Sequence, residues 1–471
     1  MEPSVRASQD SSRQSPSADE MRVIIVGGNA GGATAAARLR RLRPDAEVVL
    51  VERGEYVSYA NCGLLYYLEG VMKERSALFV ETADSLRSKH GIDARIRTEA
   101  VSIDPTAHTV ALRDLATRQT SIEHYDKLLL AMGAEPASPQ IPGIDSAGVV
   151  PLWSVPHMDA IAEMIARGAR SAVILGGGYV GCAASEALRE RGLEITLLEA
   201  SGQILSFLDP DVMVYGREVL EAHSIAVRTS ARATRFVRDG SHLTTVLADG
   251  HQLLSDFAVI CTGVRPASRI AREAGLAVGR TGGIVVSPSL RTSDPDIYAV
   301  GDVIEVQHAV TGEPMVLPLA GPAHKQARIA ATNIANSGRG WSEQYPGTLG
   351  STILKLYDIT CAATGANSRQ LERRGIPFKS LLIHPLSHAE YYPGATPVHL
   401  KLLYGLDGKV LGAQAAGHDG VDKRIDVLAT AISFGARVQD LDRLQLAYSP
   451  PFGSARDPIN VAGSVADIRN P

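Results

Sequence analysis

The residue with the greatest chemical reach in this sequence is a cysteine that has no partner. Cys62 lies in Ser58-Tyr59-Ala60-Asn61-Cys62-Gly63-Leu64-Leu65-Tyr66-Tyr67, and a dithiol redox motif would place a second cysteine within a few residues of it. The other cysteines, Cys182, Cys261 and Cys361, stand distant and isolated along the chain. Cys62 is therefore either a small packed residue, the common fate of a free cysteine, or a thiolate that works alone. Ser58 and Asn61 lie one turn apart if the segment is helical, and a cysteine near a helix N-terminus has its thiolate stabilised by oriented N–H groups.

Two Gly-rich turns carry the other chemistry. Gly27-Gly28-Asn29-Ala30-Gly31-Gly32 follows the apolar run Met21 to Val26 and precedes an Ala-rich stretch that stops before Pro44. A second apolar run, Val48 to Val51, ends on Glu52, 25 residues after Gly27. Strand, turn, helix, strand and acid, in that order, suit a dinucleotide: backbone N–H groups approach the pyrophosphate at a helix N-terminus, and the carboxylate takes a ribose hydroxyl. Asn29 replaces the middle glycine, so this copy departs from G-x-G-x-x-G. The second copy does not: Ala172 to Leu175 leads into Gly176, Gly178 and Gly181, and the strand Glu194 to Leu198 ends at Glu199, 23 residues after Gly176. One such motif is weak; two, each with its acid, imply two dinucleotides held by two domains. Glu199 would accept from both ribose hydroxyls and repel a 2′-phosphate. With no Arg or Lys between Ala200 and Leu208, NADH is preferred, and NADPH stays possible.

These turns need sheets to hold them. Leu128 to Ala134, with Gly133 near its end, reads as a buried strand entering a Pro-rich crossing that runs through Pro142 to Trp153. Ala258 to Pro266 repeats the signal, with Cys261 in an apolar strand and Gly263 in the turn after it. Asp296 to Gly301 is a strand closing on Asp302; an acid there meets a ligand well, a helix cap being its plainer use. From about Pro346 the pattern changes to short β-like runs, Thr352 to Tyr357 and Val398 to Leu402, with Tyr391, Tyr392 and Tyr448 in Pro-containing loops. Read from the residues, a disordered tail covers 1–20, a domain crossing falls before Trp153, and the last region begins at about 346. The 471 residues, 45% hydrophobic and 21% charged, suffice for about three domains. A net charge of −4 offers nucleic acid no general attraction. Scattered cysteines suit a reducing compartment, no apolar run reaches membrane-spanning length, and the polar, Ser-rich start lacks a secretory h-region. A soluble, cytoplasmic protein without a metal site is expected.

With these residues in place, the chain resembles the flavin- and pyridine-nucleotide-dependent disulfide reductases over nearly its whole length after residue 20. Its Ser-Tyr-Ala-Asn-Cys-Gly stretch is similar to the single-cysteine branch: coenzyme A disulfide reductases above all, with NADH oxidases, peroxidases and CoA-persulfide reductases. The resemblance implies an α/β fold with two Rossmann-like domains, for FAD over 21–151 and 273–345 and for NAD over 152–272, and a C-terminal α+β dimerisation domain over 346–471. It implies a homodimer in which that last domain lends residues to the partner's active site. Gly27, Gly28, Gly32 and Glu52 match the FAD motif, Gly133, Gly263 and Gly301 the turns around the cofactors, and Asp302 the acid on the ribityl chain. Cys62 matches the redox nucleophile. Thr34, Arg38, Arg41, Ser58, Asn61 and Lys89 align with a coenzyme A pocket. His324, Tyr391, Tyr448 and Arg456 match positions that close over substrate or flavin, Tyr392 competing with its neighbour for the role. Thr34, Arg38 and Arg41 share one helix face by spacing alone, and two guanidiniums there suit the phosphates of CoA; read without the resemblance, the same face is an ordinary solvated one.

Three departures accompany the match. Ala183 stands where many relatives carry Glu, Met132 replaces a small hydroxyl residue, and the chain ends soon after Gly463, leaving no room for an appended rhodanese domain. The implied activity is NAD(P)H-driven, FAD-dependent reduction of coenzyme A disulfide, or of a related persulfide or polysulfide. On that implied scheme CoA would be held on Cys62 as a mixed disulfide, in keeping with the lack of a second cysteine nearby in the sequence. The alternative is an NADH oxidase or peroxidase working through a cysteine sulfenic acid; those relatives commonly place a His in the first Gly-rich turn, and Asn29-Ala30-Gly31 offers none. A non-catalytic NADH-sensing flavoprotein and a reductase of a small iron–sulfur protein are the remaining readings.

Overall fold

The structure, a computed structural model, describes residues 21–468; the expected tail at 1–20 lies outside them. The first sheet is parallel throughout. Its strands run in the order Ile297–Ala299, Lys127–Leu130, Arg22–Val26, Glu47–Val51 and Asp93–Arg95. Val23, Ile24, Ile25 and Leu128 to Leu130 are wholly buried, as strands covered on both faces must be. Helix α1 (Ala30–Leu42) covers one face with Ala35, Ala36 and Leu39.

The second sheet repeats this plan. Ala226–Arg228, Glu194–Leu198, Ser171–Leu175, Phe257–Ile260 and Val149–Pro151 are again all parallel. In both, the strand before the Gly-rich turn is central, with its acid-bearing partner on one side. The sheets differ in where the outer strand comes from: Val149–Pro151 precedes its Gly-rich turn, whereas Ile297–Ala299 reaches the first sheet only after the whole second sheet has formed. Ala134–Pro136 and Val264–Pro266 pair antiparallel as the crossing between them.

The third unit is a five-stranded antiparallel sheet, in the order Thr352–Leu356, Ile359–Gly365, Val410–Gly417, Val398–Gly405 and Phe378–Ile383. The helix Val421–Ser433 packs on it through Val421, Ile425 and Leu428. Cys261 falls one residue past its strand and is half-buried, while Cys182 and Cys361 are buried. Although distant and isolated along the chain, all three belong to one apolar cluster around the second sheet.

Candidate active site

The two Gly-rich turns are near-copies in space. Gly27 and Gly176 have φ of +104° and +103°, the left-handed region that favours glycine. A Cβ on Gly32 would lie 1.7 Å from the Gly27 carbonyl oxygen, and one on Gly181 would lie 1.8 Å from that of Gly176. Strand and helix thus touch where any side chain would separate them, and each helix presents its first N–H groups beside the turn. Glu52 accepts the Gly28 and Gly54 N–H groups at 2.8 and 2.6 Å. Glu199 accepts those of Gly177 and Ser201 at 2.8 and 2.7 Å. Both carboxylates are fixed at strand ends before any ribose arrives. Space around Gly178 is open to 4 Å, which is what close approach of a pyrophosphate requires. These cradles fit two dinucleotides.

Gly133 and Gly263 have different work within the chain. Both have positive φ, +66° and +90°, and both lead into the crossing pair, with Ala267 N–H donating to the Gly133 carbonyl and Ala137 N–H to that of Gly263. Gly301, at φ +79°, opens a short 3-10 turn and donates its N–H to Gln326 at 2.8 Å. In the same turn the half-buried Asp302 carboxyl is pushed up to about 6 by burial, and the turn packs against the helix Ala320–Ala335.

Cys62 is exposed and immediately precedes helix α2 (Gly63–Glu69). The residues before it are not helical, which corrects the one-turn relation of Ser58 and Asn61. Ser58 has φ +46°, and Tyr59 forms a bridge with Phe79. What holds the segment is the first Gly-rich turn: Ser58 N–H donates to the Gly28 carbonyl at 2.9 Å, Tyr59 N–H to Asn29 Oδ1 at 3.1 Å, and Asn29 Nδ2 to Asn61 Oδ1 at 2.5 Å. On its other side α2 buries Leu64 and Leu68 in the second unit's cluster, beside the helix Tyr179–Glu190. The cysteine therefore stands where the two nucleotide units meet. Burial pushes the other thiols up, Cys261 and Cys361 to about 12 and Cys182 well above its ordinary value.

Around this centre the structure gathers several of the expected residues. Thr34 and His324 share a 2.6 Å hydrogen bond between α1 and the helix Ala320–Ala335. Arg40 on α1 is spent on backbone carbonyls, and Arg43, which caps the end of that helix, is spent on Asp45. By contrast, Arg38 has a buried Nε with no hydrogen-bond partner, and Arg41 is exposed. Lys89, also exposed, is drawn into an ion pair with Glu81 at 3.3 Å; Glu81 N–H in turn donates to the Ser58 carbonyl. Tyr391 and Tyr448 lie on the third unit, mostly exposed, their hydroxyls 3.0 Å apart. Tyr392 instead packs edge-on against His388. Arg456 is exposed beside the buried Asp457.

Two residues were missed from sequence. Asn29 counted there only as a departure, yet it tethers the Cys62 segment; a polar side chain where glycine is expected was the available signal. Tyr179, the first residue of its helix, donates to the Pro318 carbonyl at 3.3 Å. Its phenol is pushed up to about 12, by burial first and by nearby Asp302 and Cys62 next, so it joins three segments with no motif to announce it. Among the described residues there is no cluster of three or more metal-ligating side chains and no helix long and apolar enough to cross a membrane.

Comparison with known proteins gives two family models: pyridine nucleotide-disulphide oxidoreductase over residues 21–327, and the dimerisation domain of the same family over 353–458. The chain is 32% identical over 446 residues to coenzyme A disulfide reductase of Staphylococcus haemolyticus, covering 94% of this chain and 98% of that one. It is 31% identical over 448 residues to NADH oxidase of Methanocaldococcus jannaschii, covering 95% and 98%. The crystal structure of reduced Bacillus anthracis CoADR-RHD matches with a TM-score of 0.92 and 41% identity, over 95% of this chain and 80% of that chain.

Proposed function

The chain belongs to the pyridine nucleotide-disulphide oxidoreductase family, and from that premise we propose that it is a homodimeric, FAD-dependent reductase that uses NADH to reduce coenzyme A disulfide through Cys62. The observation that carries this reading is Cys62 itself, the exposed cysteine at the junction of the two nucleotide cradles. Gly27, Gly28, Gly32, Glu52 and Asp302 would hold FAD, and Gly176, Gly178, Gly181 and Glu199 would hold NADH. When bound, FAD supplies a two-electron carrier between the hydride of NADH and sulfur. Arg38 and Arg41 would take CoA phosphates, the unpartnered Arg38 Nε gaining an acceptor, with Thr34, Ser58, Asn61, Lys89 and His324 lining the path to the thiol.

The Cys62 thiolate attacks one sulfur of CoA disulfide. The S–S bond breaks, one CoA leaves as thiolate, and a mixed disulfide joins Cys62 to the other CoA. Two electrons originating on NADH then break that bond, releasing the second CoA and restoring the Cys62 thiolate. The sum is one NADH, one proton and one CoA disulfide giving NAD⁺ and two CoA thiols. Tyr391 or Tyr448 of the partner subunit would protonate the leaving CoA, a task suited to a positioned phenol, and the exposed Arg456 would join them at the substrate. Cys62→Ser should keep flavin reduction by NADH and lose disulfide reduction. Anaerobic stopped-flow of the NADH-reduced protein against CoA disulfide and against O₂ tests the acceptor: reoxidation by O₂ as fast as by CoA disulfide would replace this reading with the NADH oxidase one.

A further inference from the structure

Asn29 occupies the place where the second cradle has Gly178, and the two positions behave differently. At Gly178 the space around the backbone is open, and no side chain reaches across. Asn29 precedes α1 at φ −96° and ψ −147°, but its side chain makes no capping bond to the helix. Its carboxamide turns outward and is used at both ends, Oδ1 on the Tyr59 N–H and Nδ2 on Asn61 Oδ1. With the Ser58 N–H on the Gly28 carbonyl, three bonds join the turn to the four residues immediately before Cys62. Ser58 at φ +46° bends the chain so that it can meet them. A single turn thus faces the dinucleotide with its backbone and the redox segment with its one polar side chain.

We infer that Asn29 is a positioning residue for Cys62: its carboxamide ties the thiol's segment to the turn beneath the flavin nucleotide and so fixes the sulfur relative to that cofactor. The inference rests on the proposed role of Cys62. The second copy keeps its middle glycine, and the cradle there stays open at Gly178, whereas the first gives that openness up for the two bonds of Asn29. Small displacements of a reacting group cost large factors in rate, so the loss of two side-chain bonds here should be visible without any change of fold.

The test is Asn29→Gly, which restores the G-x-G-x-x-G pattern and so retains a foldable turn, read beside Cys62→Ser. Expected for Asn29→Gly is FAD content and NADH-driven flavin reduction near those of the unaltered protein. CoA disulfide turnover should fall about tenfold or more. The pH profile for alkylation of Cys62 by iodoacetamide should shift, and the long-wavelength absorbance of a thiolate against oxidised flavin should be altered. In the alkylation profile, an Asn61→Ala change should add little to Asn29→Gly, because the bond between these two side chains is already lost. Unchanged alkylation and absorbance in Asn29→Gly, or loss of flavin with an unchanged alkylation profile, would overturn the inference. Cys62→Ser retaining full disulfide reduction would instead sink the reading of the site on which it rests.

Discussion

Cys62, Asn29 and Asp302 show how far one side chain's meaning depends on what surrounds it. The sequence singles out Cys62 by its motif, and burial separates it from the others: three thiols are pushed up within one core, and Cys62 is exposed. Asp302 carries a consequence for pH. Its carboxyl is pushed up to about 6 by burial, so the folded, FAD-free protein keeps this proton at pH values where the unfolded chain has lost it. Stability from this group is present below the ordinary carboxylate range and is lost as pH rises through about 6. In FAD-free protein, Asp302→Asn should therefore gain in melting temperature over the unaltered chain as pH climbs through that window, and level off above it. A difference independent of pH would show that the carboxyl is not desolvated. The same change should weaken FAD binding by about 2 kcal/mol if the carboxylate accepts the ribityl hydroxyls, measured by fluorescence titration.

At the scale of elements, the Gly-rich turns were readable because sterics at Gly27, Gly32, Gly176 and Gly181 admit only glycine, and that demand is local to each turn. The tyrosine loops were not readable in this way, because the residue that holds them lies elsewhere. Arg424, buried on the helix Val421–Ser433, donates Nη2 to the Ser387 carbonyl at 2.8 Å and to Asp457 at 2.9 Å, and Nη1 to the Gly420 carbonyl at 2.9 Å. Lys423 donates to the Phe452 carbonyl, and Ala389 N–H to that of Gly453. One helix thus ties the loop leading to Tyr391 to the stretch running from Tyr448 to Arg456. Removing one member of a buried ion pair costs about 3–5 kcal/mol. Arg424→Met should lose that much in denaturant unfolding and open both loops to proteolysis, and disulfide turnover should fall while NADH-driven flavin reduction persists. Arg424→Met combined with Asp457→Leu should recover stability and leave turnover low; recovery of both would mean the clamp has no part in placing the tyrosines.

For the whole molecule the question is which chain completes which site. Tyr391 and Tyr448 face outward from the third unit, bonded to each other, while Cys62 lies between the first two. If each site joins one subunit's Cys62 to its partner's tyrosines, a Cys62→Ser chain mixed with a Tyr391→Phe/Tyr448→Phe chain should form heterodimers with one intact site. Random reassociation would then restore about a quarter of full activity, whereas sites built within one chain would recover none; the assay is turnover after dissociating and remixing the two variants. What the sequence determined by itself was everything governed by local constraint. Gly-rich turns, strand-ending acids and the one-face Thr34, Arg38 and Arg41 spacing are written in short windows, because backbone sterics and helical period act over a few residues. Tertiary structure alone decided that Thr34 meets His324 and that three cysteines isolated along the chain share one core. It also bent Ser58 away from helix and turned Asn29 from a flaw in a motif into the tether of the redox segment. Those outcomes depend on residues tens to hundreds of positions apart being brought within hydrogen-bond distance, and only the packed sheets can do that.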